Sequence, residues 1–400
     1  MRIAIVAESF LPQMNGVTHS ILRILDHLQE RGDDVLVIAP SGEGASGVFP
    51  LPETVNGAHV LRMPALPVAG YPKVRVAFGA VPRVRRALRA FAPDVVHLAS
   101  PFELGWRAVR AAHELGIPTV AVYQTEVPGY AARYGVPFLE NWAWQRVEAV
   151  HLLADLTLAP STFALNQLRG RGILDVDLWR RGVDTVRFHP GKRDGAWRAS
   201  VTAAAPAGGG TGGTGACGQP VKIIGYVGRL AAEKQVENLR VLADIPGTRL
   251  VIVGDGPLRA QLEAQLPGAH FAGFRSGEDL ARIVASFDLF VHPGEFETFC
   301  QTIQEAMASG VPVIATGRGG PLDLVENSKT GWLYTPGDLA QLRSYALDLL
   351  GDDAKRAAFA ESAWRSVQGR TWRAIGEQLV GHYEDVISQR WLSGVETNAR

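Results

Sequence analysis

The chain has 400 residues, 46% of them hydrophobic, with 44 Gly, 24 Pro and 2 Cys. At roughly 100–200 residues per domain this length predicts two or three domains, each able to bury its own core. Forty basic residues balance forty acidic ones and the two cysteines, Cys217 and Cys300, are scattered, which excludes a disulfide framework or metal cluster, points to a reducing compartment, and removes the basic excess of a nucleic-acid binder.

In chain order, the first apolar run, IAIVA (3–7), soon meets Glu8 and precedes no small-residue cleavage site, so it reads as a strand and not a signal peptide. An amphipathic helix is expected from Gly16 to Arg31, stopped by Gly32. Further strands follow at VLVIA (35–39), VVHLA (95–99), TVAVY (119–123) and LTLAP (156–160). The same alternation resumes with VKIIGYVG (221–228), LVIVG (250–254), HFAGF (270–274), LFVHP (289–293) and VPVIAT (311–316). Continuous apolar runs suit parallel strands covered by helices on both faces.

The Gly-rich stretch AAAPAGGGTGGTGACG (203–218) has no periodic apolar face and reads as a linker. The expected organisation is α/β with two doubly wound, Rossmann-like domains facing across a cleft: residues 1–192, a linker at 193–219, a second domain at 220–372, and a segment at 373–400 crossing back to the first. Neither half carries G-x-G-x-x-G after its first strand, which argues against a dinucleotide-binding dehydrogenase. No run of about 18 apolar residues occurs, so a cytoplasmic location is expected. On a helical wheel from Val81, Val84, Leu88 and Phe91 oppose Arg85, Arg86 and Arg89. That face is either a solvated surface or an attraction to anionic lipid.

Chemistry concentrates in HPGEFETFCQTIQEAMASGVPVIAT (292–316), where a buried strand, an acidic loop and a helix start follow one another. Glu297 and Glu305, with seven residues between them, place one carboxylate before the helix and the other about two turns along it. The helix N-terminus suits phosphate, and the carboxylates suit sugar hydroxyls. Arg229 and Lys234 follow the first strand of the second half. There they are either ordinary helix-start charges or cations for a departing diphosphate. Gly254 and Gly256 permit tight turning, for a nucleotide or only for close helix–sheet contact. Gly16, opening a helix after the first strand, is either a turn glycine or a point of backbone approach to phosphate. His97, on an apolar strand, is expected to be a core histidine, and Asp184 to fix a turn.

The E-x7-E pattern with EAMASGVPVIAT resembles the retaining nucleotide-sugar glycosyltransferases of family 4, which adopt the GT-B fold. Members usually read E-x-F-G at the helix start, where this chain has ETFCQ, with Cys300 in place of Gly. That departure, with YQTEVPGYAARYG (123–135) and WRRGVDTVRFHP (179–190), is similar to bacterial GDP-mannose-dependent α-mannosyltransferases. The resemblance implies that Glu297 contacts donor-sugar hydroxyls, that Glu305 accepts from the ribose, and that the amides of Phe299, Cys300, Gln301 and Thr302 hold the diphosphate. Arg229 and Lys234 match its G-R-L and Lys motif, Gly16 its glycine-bearing first loop, and Gly254 and Gly256 its nucleotide-side loop. The base is expected near Phe274 and Arg275.

Many members carry His where this chain has Gln124. Gln cannot act as a general base, so Gln124 is expected to orient the sugar in a front-face reaction. Glu103, Tyr123 and Arg133 are acceptor-side candidates. The expected activity is α-mannose transfer from GDP-mannose, without a metal, to a lipid-linked or glycoside hydroxyl. A UDP-sugar-dependent enzyme on a small soluble acceptor and a sugar-nucleotide epimerase are the alternatives.

Overall fold

A computed structural model describes residues 1–41, 53–68, 71–77, 81–124, 138–203 and 220–398. The chain forms two compact units: Met1–Arg181 with Trp372–Arg400, and Gly182–Thr371.

The first unit holds strands β1 (Arg2–Ala7), β2 (Asp34–Pro40), β3 (Glu53–Val55), β4 (Ala58–Met63), β5 (Ala65–Val68), β6 (Tyr71–Ala77), β7 (Val95–Ala99), β8 (Thr119–Val122), β9 (Leu156–Ala159) and β10 (Val176–Leu178). Eight of them form one sheet in the order β10-β9-β8-β7-β1-β2-β4-β3, parallel except for the β3–β4 pair. Helices α1 (Gly16–Arg31), α2 (Val81–Phe91), α3 (Glu103–Leu115), α4 (Phe138–His151) and α5 (Thr162–Arg169) connect them. Helix α1 starts where the Asn15 side chain accepts from the amides of Val17 and Thr18, and stops at Gly32 in the left-handed region, a common cap at each end.

The second unit carries β11 (Lys222–Val227), β12 (Thr248–Val253), β13 (His270–Gly273), β14 (Leu289–His292), β15 (Val313–Thr316) and β16 (Gly331–Tyr334). They form a parallel sheet in the order β13-β12-β11-β14-β15-β16, the order of a doubly wound nucleotide-binding domain. Its helices are α6 (Gly195–Ala203), α7 (Arg259–Gln265), α8 (Gly277–Ala285), α9 (Gln301–Ala308), α10 (Pro321–Leu324), α11 (Leu339–Gly351) and α12 (Asp353–Val367). Alternate side chains of β12 enter different cores: Val251 and Val253 join one cluster, Leu250 and Ile252 the other. A sheet buried on both faces explains why its strands read as unbroken apolar runs.

The expected boundary at 192/193 moves to 181/182. Residues 182–203 are built onto the second unit: Val183 donates to the Arg370 carbonyl, Arg193 and Arg198 pair with Asp288, and Trp197 packs against Phe287. The expected linker therefore begins with an ordered helix, α6; the rest of the Gly-rich stretch lies outside the described residues. The final helix, α13 (Trp372–Asn398), belongs to the first unit. Its Ile375 carbonyl accepts from the Trp179 indole at 2.9 Å, and its Tyr383 hydroxyl meets His97 Nδ1 at 2.8 Å. His97 is fully buried there, a core histidine.

Candidate functional site

In open parallel sheets ligands bind at the carboxyl ends of strands where the strand order reverses direction. In the second unit that point lies between β11 and β14. The chain leaving β11 carries Arg229 and Lys234; the chain leaving β14 carries Glu295 and Glu297 and enters α9, which carries Glu305.

Lys234 Nζ lies 2.5 Å from Glu297 Oε1, and His292 Nε2, at the end of β14, lies 3.0 Å from the same oxygen. All three side chains are largely removed from water. Burial alone would raise the Glu297 carboxyl, but the Lys234 charge and the His292 hydrogen bond hold it down near 2. For His292 burial favours the neutral form, and the Cys300 sulfur and Glu297 carboxylate outweigh it, raising the ring to about 9. The carboxylate is thus held ionised between two cations. Its remaining lone pairs suit hydroxyl groups.

Glu297 is fixed from behind by backbone. The Gly320 amide donates to the Glu297 carbonyl at 2.7 Å, and a Cβ at Gly320 would fall 2.4 Å from Phe299 Cα. Gln235 takes part on the other side, accepting from the Glu295 amide at 2.9 Å. Phe299 is a core residue beneath the loop. Cys300 caps α9 in the left-handed region, φ 73°, a conformation that favours glycine. Its sulfur lies 3.6 Å from Thr302 Oγ1. Gln301 donates to the Gly182 carbonyl. The amides that open α9 at these positions are those a helix start leaves without intrahelical partners. Glu305, in the second turn, is 9% exposed.

The two glycines after β12 have a mechanical explanation. A Cβ at Gly254 (φ 139°) would sit 1.9 Å from the Gly228 carbonyl oxygen, and one at Gly256 2.3 Å from that of Leu230. Backbone bonds from Gly228 to Val253, Leu230 to Asp255 and Leu258 to Leu230 join the loops after β11 and β12. Of the two readings of these glycines, close approach of chain to chain is what the structure displays. Arg229 is exposed on this joined edge and makes no ion pair among the described residues. Phe274 is 71% exposed just beyond β13, while Arg275 pairs with Asp279.

His292, Glu297 and Cys300 bring one ligand-type atom each within 4.8 Å of one another. The Lys234 ammonium, however, already lies against Glu297 Oε1, and a metal in the cluster would set a second cation beside it. The cluster fits a carboxylate polarised by cations better than it fits a metal centre.

In the first unit the reversal lies between β1 and β7. Glu8, directly after β1, accepts from the amides of Phe102 and Gly105 at 2.8 Å each. Burial raises its carboxyl to about 7 against the opposing pull of those amides. Gly16 opens α1, and its carbonyl accepts from Arg181 Nη1 at 2.9 Å. A Cβ there would meet only Arg181 Nη1, at an ordinary 3.5 Å. Gln124, 6% exposed, accepts from Arg181 Nη2 at 2.7 Å.

Two acceptor-side expectations fare differently. The Tyr123 ring is 2% exposed and stacks on Trp144 at 6.3 Å, so it serves the core and not a ligand surface. Glu103 pairs with Arg107 and Arg146. Arg133 lies outside the described residues.

Residues 14–187 match the family model described as Glycosyltransferase Family 4, and residues 218–365 match Glycosyl transferases group 1. The GDP-mannose-dependent alpha-mannosyltransferase of Corynebacterium glutamicum is 44% identical, over 97% of this chain and 90% of that protein. The chain belongs to glycosyltransferase family 4. The protein of the same description from Mycolicibacterium smegmatis is 47% identical over 98% of this chain and 99% of its own. Among solved structures, Anabaena HepE in complex with UDP superimposes with TM-score 0.74 at 20% identity, covering 96% of this family 4 chain and all of its own. Sucrose-phosphate synthase from Thermosynechococcus elongatus gives 0.73 at 20% identity, covering 97% of this chain and 99% of its own. The two Rossmann-like units are those of the GT-B fold, and the protein is a hexosyl-transferring enzyme that uses a nucleotide-sugar donor.

Sequence reasoning did not single out His292 or Arg181. The first reads as the end of an apolar strand, and the second bonds residues 57 and 165 positions away.

Proposed function

We propose that the enzyme transfers mannose from GDP-mannose to a hydroxyl of a lipid-linked or glycoside acceptor, with retention of the α configuration. One observation carries the proposal: Lys234 and Glu297 meet at the switch point of the second sheet, in a chain 44–47% identical along nearly its whole length to proteins described as GDP-mannose-dependent.

In this reading the donor diphosphate lies against the opening amides of α9, near Arg229 and Lys234, and Glu305 accepts from the ribose hydroxyls. Departure of the nucleoside diphosphate builds negative charge that the guanidinium, ammonium and amides stabilise without a metal. Glu297, kept ionised by Lys234 and His292, accepts from the sugar hydroxyls beside the reacting carbon. No protein base is required: the acceptor attacks from the face the leaving group departs, and the departing phosphate oxygen takes its proton. Gln124 orients a sugar hydroxyl. The base packs near Phe274, and Gly16 admits phosphate at the start of α1.

No helix among the described residues is long and apolar enough to cross a membrane. Helix α2 buries Val84 and Leu88 and exposes Arg86 and Arg89, whereas Arg85 is tied to Glu114 at 2.6 Å. We place the enzyme in the cytoplasm, with Arg86 and Arg89 able to contact anionic lipid. Co-sedimentation with vesicles that did not depend on anionic lipid would remove that contact.

A panel of nucleotide sugars scored by thermal shift tests the donor. Binding to the folded state alone raises stability by about 2.7 kcal/mol at a hundredfold excess over Kd. GDP and GDP-mannose are expected to shift the transition most, with EDTA making no difference. A larger shift with UDP-sugars would overturn the assignment of the base.

A further inference from the structure

The loop after β8 carries Gln124 where many family members carry His, and the structure explains how the amide is held. Arg181 reaches two acceptors with the two ends of one guanidinium: Nη2 to Gln124 Oε1 at 2.7 Å and Nη1 to the Gly16 carbonyl at 2.9 Å. Arg181 is 8% exposed and Gln124 6%. The arginine is itself anchored two residues earlier, where the Trp179 amide donates to Ala159 and its indole to Ile375. Trp179 is 1% exposed, so the backbone that carries Arg181 is held in the core of the first unit.

A guanidinium offers only donors. The Gln124 atom facing it is therefore the carbonyl oxygen, whichever way a carboxamide might otherwise be assigned. That fixes Nε2 at the far side of the amide, as a donor and nothing else. An imidazole in the same place would have to turn a nitrogen lone pair to Arg181, and protonating it would set two cations against each other.

Resting on the transferase reading above, we propose that Arg181 is a positioning residue for the transfer reaction. It locks the Gln124 carboxamide with its Nε2 presented as a hydrogen-bond donor to a substrate oxygen, and ties that amide to the Gly16 turn. The pair makes Gln124 a donor in place of the family's histidine, in keeping with a reaction that uses no protein base.

The test compares R181M, R181K, Q124A and the double variant R181M/Q124A. GDP release from GDP-mannose is followed with water and with n-octyl α-mannoside as acceptor probes. A misplaced positioning group costs on the order of a hundredfold. R181M is expected to lose about thirty- to a hundredfold in kcat with donor KM within about threefold, and R181K to recover most of that loss. The double variant is expected to match Q124A within about twofold, because Arg181 acts through Gln124. Losses that multiply in the double variant, or a change confined to KM, would overturn the proposal.

Should GDP-mannose fail and a UDP-sugar turn over, the donor assignment falls, and the same ratios measured with that sugar still decide Arg181. The side-chain amide resonances of Gln124 need no substrate at all. R181M is expected to shift and broaden them and R181K to restore them; unchanged resonances in R181M would refute the clamp.

Discussion

Replacing Lys234 with Met isolates the central ion pair. The substitution removes an ammonium 2.5 Å from Glu297 Oε1 and leaves the carboxylate with His292 at 3.0 Å in a site where Glu297 is 9% exposed. Removing one partner of a buried pair costs about 3–5 kcal/mol, and the partial exposure of Lys234 places the expected loss near the lower end, about 3 kcal/mol at neutral pH. The pH dependence follows from the carboxyl held near 2 against an ordinary 4.5. A depressed carboxyl contributes stability that is complete above 4.5 and lost as pH falls towards 2. Without Lys234 the folded-state value rises and most of that contribution is gone, so the gap between the two proteins should narrow by up to about 1.4 kcal/mol for each pH unit below 4.5. Urea unfolding of both proteins between pH 7.5 and 3.5 measures it. Activity should fall about 10²- to 10³-fold, as for loss of one group stabilising developing charge. A stability gap that stayed constant from pH 7.5 to 3.5, or an activity loss under about tenfold, would refute the arrangement.

Three further outcomes follow from the same geometry. Gly16→Ala should leave stability within about 0.5 kcal/mol, since its Cβ meets nothing closer than 3.5 Å, yet raise the donor KM; Gly254→Ala, whose Cβ would meet a carbonyl oxygen at 1.9 Å, should cost several times as much in urea titrations. His97 and His151 are buried and held neutral down to about 3, so the unfolded chain binds their protons first and stability should fall as pH drops below 6.5. Glu8, held protonated up to about 7, acts oppositely: its contribution is complete below 4.5 and lost as pH rises through 7, so Glu8→Gln should steepen the acid dependence by about one proton between pH 5 and 6.5. An unchanged slope would contradict the buried state of Glu8.

The strands legible in the sequence are those buried on both faces, such as β1, β7, β11 and β14, because continuous burial writes an unbroken apolar run. Those missed lie at or next to sheet edges or are short. AHVLRM of β4 buries only its ends, Ala58 and Met63, with His59 exposed and the rest half-buried, β16 is the four residues GWLY, and β5 and β6 carry Pro67 and Pro72. The 182–203 segment was illegible for a different reason: ion pairs of Arg193 and Arg198 with Asp288 attach it, over 90 or more positions. At the site, the spacing of Glu297 and Glu305 reported a loop and a helix because both are local. The His292–Glu297–Lys234 triplet and the Arg181 clamp depend on tertiary neighbours, and nothing in local spacing encodes them.

Transfer with retention is decided by the bond that is made. Incubation with GDP-mannose and n-octyl α-mannoside, followed by product isolation and the one-bond carbon–hydrogen coupling at the new anomeric carbon, measures it directly. An α-linked mannoside formed in equal amount with GDP is the predicted result. A β-linked product, or an epimerised nucleotide sugar with no new glycoside, would contradict it.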